Sequence, residues 1–125
     1  MISVEVDNRS GVEVDERAAI DLVRGVLAGE GIDDGELGLA FVAPDEMAAL
    51  KRDHLGAEEP TDVLSFPIDA RDELPDGLPR QLGDAVLCPQ VTGEAWREPL
   101  VHGLLHLLGY DHGAEMSERE ARWSD

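Results

Sequence analysis

Residues 102–112 read His-Gly-Leu-Leu-His-Leu-Leu-Gly-Tyr-Asp-His and hold three of the four histidines in the chain. His102 and His106 stand at i and i+4, so on a helix their imidazoles leave one face a turn apart and can share a metal ion. Leu104, Leu105, Leu107 and Leu108 give that helix an apolar surface to bury. Gly109 permits the left-handed turn that ends a helix, which brings His112 round as a third ligand. Three protein ligands with one open position is the arrangement of a catalytic zinc, whereas structural zinc sites are closed with four ligands. The single cysteine, Cys88, rules out a cysteine-built structural site. The expected centre is therefore one zinc per chain on His102, His106 and His112.

The same ligand spacing and glycine occur in the metzincin proteases, where a glutamate follows the first histidine. That glutamate is the general base of the peptidase reaction. Gly103 occupies the position here and has no side chain, so a peptidase mechanism lacks its base.

At 125 residues the sequence, 1–125, predicts one domain. A hydrophobic share of 42% and a charged share of 30% are those of a globular chain. Met1–Asp7 has neither a basic nor an apolar signal-peptide region, and no apolar run approaches the ~20 residues of a membrane span. A lone cysteine fits a reducing compartment, so the expected location is cytoplasmic with no membrane partner. The formal net charge is −18, with ten acidic residues in 1–44 and ten more in 45–80. Such a surface keeps a protein soluble and repels nucleic acid at long range. Adaptation to salt or lineage explains it, as does a basic partner.

Alternation of Ile2, Val4 and Val6 predicts a first strand, and Asp15 caps a helix running through Ala18–Leu27 and ended by Gly29 and Gly31. A second strand is expected at Glu36–Ala43 and a helix from Pro44 through Leu50. Val63–Pro67 reads as a third strand, 69–80 as a loop and Gly83–Cys88 as a fourth strand stopped by Pro89. One further helix, with Pro99 in its first turn or as a kink, runs to Gly109. The expected class is α+β: a small mixed sheet of about four strands packed with helices, the metal site on the C-terminal helix and the turn after it.

The 102–112 string, with Pro60-Thr61-Asp62-Val63-Leu64-Ser65-Phe66-Pro67 and Leu82-Gly83-Asp84, resembles the YbeY family of bacterial endoribonucleases over essentially the whole chain. The resemblance implies a zincin-like fold, zinc on His102, His106 and His112, and cleavage of single-stranded RNA. It further implies maturation of the 3′ end of small-subunit (16S) rRNA and ribosome quality control. The partners would be rRNA, the small ribosomal subunit and ribosome-maturation proteins. Two departures stand out. Leu55 occupies the place of an arginine common in the family, with Arg52 one helical turn upstream, and the segment from Cys88 to His102 is shorter than usual.

RNA cleavage needs an aligned nucleophile, neutralised oxygen charge and a proton for the leaving oxygen. For the proton the candidates are Asp111 and Asp62. Asp111 could instead orient a ligating histidine, and Asp62 could close a turn with Thr61. Cys88 reads as a buried strand thiol or a soft extra ligand, His54 as solvated, and Trp96 and Trp123 as packing residues or base platforms. Lys51-Arg52 is the best basic cluster, joined by Arg9, Arg71, Arg80 or Arg97 if folding gathers them at a cleft. Three readings stay open: a metal-dependent endoribonuclease, a ribosome-assembly factor with a non-catalytic metal, and a zinc hydrolase on another substrate.

Overall fold

Two strands of alternating burial and two apolar runs build a four-stranded mixed sheet in the order β1-β2-β4-β3. The computed structural model describes residues 2–54, 63–110 and 113–123. β1 (Ile2–Asn8) and β2 (Gly35–Phe41) pair in parallel, and β2 pairs in parallel with β4 (Gln81–Leu87). β3 (Val63–Pro67) runs antiparallel to β4 and forms an edge. The third strand has its expected bounds, and the second and fourth lie within two residues of theirs.

Because strand side chains alternate between faces, the sheet has two cores. Leu37, Leu39, Val63, Ala85 and Leu87 face the larger one; Leu64 and Val86 face the smaller. α1 (Glu16–Gly29) packs on the larger side through Ala19, Val23, Val26 and Leu27, a spacing that lines one helix face. The Asp15 carboxylate accepts the Ala18 N–H at 3.0 Å, as its place in the sequence predicts. α2 (Pro44–His54) runs a turn further than expected and covers the other face with Met47 and Leu50. Cys88 is buried in that smaller core with Val42 and Met47, so the sheet separates it from the histidine pair.

The segment expected as one helix is two. α3 (Pro89–Thr92) stops at Gly93, whose φ of +56° is left-handed, and α4 (Arg97–Leu107) starts afresh with Pro99 in its first turn. α4 is apolar nearly all round, with Leu100, Val101, Leu104, Leu105 and Leu107 buried among β3, β4 and α1. Nor is it the C-terminal helix that the sequence predicts. α5 (Ala114–Trp123) follows and packs along it, with Met116 buried.

Candidate metal centre

The end of α4 follows from Gly109. Its φ is +97°, and its N–H donates to the His106 carbonyl at 3.0 Å while the Tyr110 N–H donates to the Leu105 carbonyl at 3.1 Å. This pair of bonds is a Schellman cap, which only glycine enters without strain. The cap turns the chain back over the last helical turn. There the Tyr110 carbonyl accepts the Nδ1–H of His106 at 3.0 Å.

His102 finds its own acceptor on α5, where Glu120 Oε1 takes the Nδ1–H at 2.9 Å. A carbonyl and a carboxylate only accept, so both rings carry a proton on Nδ1, which in the neutral imidazole leaves a lone pair on Nε2. The two Nε2 atoms lie 3.1 Å apart, with the rings 78° to one another. Two lone pairs at that distance repel unless a cation lies between them. Ligands at the 2.0–2.1 Å zinc–nitrogen distance on adjacent tetrahedral positions would stand about 3.3 Å apart, so the pair fits such an ion. Acceptors on the far ring nitrogen are the usual support of metal-binding histidines.

His112, Asp111, Asp62 and Leu55 lie outside the described residues, as does the side chain of His54. Among the described residues no group of three or more histidine, cysteine, aspartate or glutamate side chains is placed to hold a metal ion. The structure thus brings together His102 and His106 of the predicted set.

Four of the candidate cations are engaged within the protein. Arg9 is ion-paired with Asp7 and Glu46, Arg71 reaches Glu30 at 3.1 Å, Arg80 donates to the Ala70 carbonyl and Arg97 lies over the Trp96 ring. Lys51 and Arg52 share α2, with Arg52 exposed. Trp96 packs against the larger core and Trp123 donates from its indole to Glu30, so both serve packing within this chain.

Two acids escaped the sequence reading. Glu120 was legible in principle, since Met116, Glu120 and Trp123 fall at i, i+4 and i+7 on one face of a helix-forming segment. Glu30 had no such signal, being one of 28 acidic residues and set between two glycines.

The Endoribonuclease YbeY family model matches residues 5–123. Curated proteins named Endoribonuclease YbeY are similar throughout: one from Acidothermus cellulolyticus is 44% identical over 138 residues, spanning 95% of this chain and 84% of its own. Another from Salinispora tropica is 37% identical over 139 residues, with 95% and 88% covered. Among solved structures, the solution structure of TM1509 from Thermotoga maritima superposes with a TM-score of 0.56 at 25% identity, covering 99% of this chain and 87% of that one. No helix among the described residues is long and apolar enough to cross a membrane. With a family match over nearly its whole length and relatives above one-third identity, the chain belongs to the Endoribonuclease YbeY family.

Proposed function

We propose that this chain is a zinc-dependent endoribonuclease that cuts single-stranded RNA in maturing the 3′ end of small-subunit (16S) rRNA and in ribosome quality control, acting in the cytoplasm. The observation that carries the metal is the convergence of His102 and His106 Nε2 at 3.1 Å with both Nδ1 atoms engaged. His112 completes the ligand set. When bound, zinc with an open position supplies Lewis-acid polarisation of a phosphoryl oxygen and activation of water. The chain's own contribution is placement: Glu120 and the Tyr110 carbonyl fix the rings, so little reorganisation accompanies the reaction. Asp111 and Asp62 are the candidates to deliver a proton to the leaving oxygen. A net charge of −18 supports weak intrinsic affinity for RNA, with ribosomal and ribosome-maturation proteins bringing the enzyme to its substrate.

The test pairs metal content per chain with cleavage of a small-subunit rRNA precursor, for the native protein and His106→Ala. One zinc per chain and a cut precursor, both lost in the variant, support the reading. Dialysed protein that holds no metal, or a variant that cuts as before, overturns it.

A further inference from the structure

Glu30 is the only acid buried among the described residues, its side chain 1% exposed. Four donors converge on its carboxylate. Tyr110 Oη lies at 2.7 Å, Trp123 Nε1 at 2.8 Å, and the Arg71 and Arg119 guanidinium groups at 3.1 and 3.4 Å. Burial pushes its pKa up, but the Tyr110 and Trp123 hydrogen bonds and the two arginines outweigh this and hold it below the usual carboxylate range. A buried charge this well satisfied ties together the segments that surround it.

Those segments carry the histidines' acceptors. Tyr110 gives its phenol to Glu30 and its carbonyl to His106. Arg119 and Trp123 flank Glu120, whose carboxylate holds His102. Gly29, beside Glu30, lies so close against the Trp123 indole that a Cβ there would overlap the ring atoms, so the end of α1 is shaped to receive α5. One carboxylate at the end of α1 thus anchors both supports of the metal pair, from two different parts of the chain.

We infer that Glu30 is a positioning residue of the metal centre: through Tyr110 it sets the carbonyl that orients His106, and through Arg119 and Trp123 it sets the helix whose Glu120 orients His102. The inference rests on the metal reading above. It differs from a purely stabilising role, which would lower the melting temperature and leave the affinity of folded protein for metal unchanged.

The experiment measures zinc affinity by competition with a chromophoric chelator, and the d–d absorption of the cobalt-loaded protein, alongside thermal melting. The proteins are native, His106→Ala, Tyr110→Phe, Glu30→Gln and Asp15→Ala, all read at a temperature where circular dichroism shows them folded. Tyr110→Phe and Glu30→Gln should weaken zinc about 10-fold, the lower end of the effect of removing a direct support of a ligating histidine, because the Tyr110 carbonyl and Glu120 themselves remain, and should shift the cobalt band. Asp15→Ala, which removes the α1 cap, should lower the melting temperature without changing either metal readout. If Glu30→Gln does not fold, the nearly isosteric Tyr110→Phe decides. Native affinity and spectrum in folded Tyr110→Phe overturn the inference and leave the metal reading standing, as does an equal loss in Asp15→Ala. Native protein that takes no metal, or His106→Ala that binds as tightly, overturns the metal reading itself.

Discussion

The Ser65 hydroxyl donates to the Gly103 carbonyl at 2.9 Å, which docks the edge strand β3 onto the helix between the two histidines. A Cβ at Gly103 would come within 2.9 Å of Val63 Cγ2 and 3.1 Å of Ser65 Oγ. The residue that a protease would use as general base therefore points into a packed strand.

Gly103→Ala should cost about 1–3 kcal/mol by overpacking against Val63, a stiff β-branched side chain. Urea unfolding checks this. The native protein should leave casein intact, and Gly103→Glu should lose stability without gaining peptidase activity. Casein hydrolysis by the native protein that His106→Ala abolishes would contradict the argument.

His112→Ala should separate chemistry from folding. The apolar body of α4 stays buried without a third ligand, so the variant should melt cooperatively. Loss of bound zinc removes only the mass-action stabilisation, about 2.7 kcal/mol when the ion is present at 100 times its dissociation constant. An rRNA precursor should remain uncut. Normal cleavage by folded His112→Ala would take the metal out of the mechanism, and outright unfolding would point to a structural zinc.

Acid should act through Glu30. Its pKa is lower folded than unfolded, so the unfolded chain takes up the proton first as pH falls. The stability it contributes is present above the usual carboxylate range and lost as pH drops through the folded value. Glu30→Gln should cost on the order of 2 kcal/mol near pH 7, where charged hydrogen bonds to Tyr110 and Trp123 are lost. Melting temperatures of native and variant protein should converge between the neutral plateau and strong acid; a constant gap would refute the assignment.

RNA binding should depend weakly on salt. Arg9, Arg71, Arg80 and Arg97 are each engaged within the protein, which leaves few cations to neutralise phosphates. At about 0.7 in slope per neutralised phosphate on single strands, the slope of log affinity against log salt should be about 2 or less in magnitude. Fluorescence anisotropy across a salt series measures it, and a slope several times steeper would reveal a basic groove.

Much of this fold is legible in local pattern. Period-two alternation marks the first strand, the apolar run Val63–Pro67 keeps its sequence-predicted bounds, and Asp15 caps the helix it precedes. What escapes is tertiary. Gly93 divides α3 from α4 because its backbone turns left-handed, which a single glycine between helical stretches does not announce. α5 has little apolar surface of its own beyond Met116 and Trp123, so its pattern is faint until α4 and Glu30 receive it. The histidine pair can be read from spacing, and Glu120 shares a helical face with Met116 and Trp123, but Glu30 acquires meaning only from the groups that fold against it.

The Glu30 clamp also sets an order of events. His102 and His106 are four residues apart and come together as soon as α4 forms, whereas Glu30 meets Tyr110 and Trp123 across 80 and 93 residues of chain. Loop-closure entropy makes contacts of that span expensive until most of the sheet is already in place. The rings and the Tyr110 carbonyl that holds His106 are thus local to one helix and its cap, while the carboxylate that holds His102 and the Glu30 contacts come from distant chain. A histidine pair built this way would be fully oriented only once α5 has docked and brought Glu120 to His102.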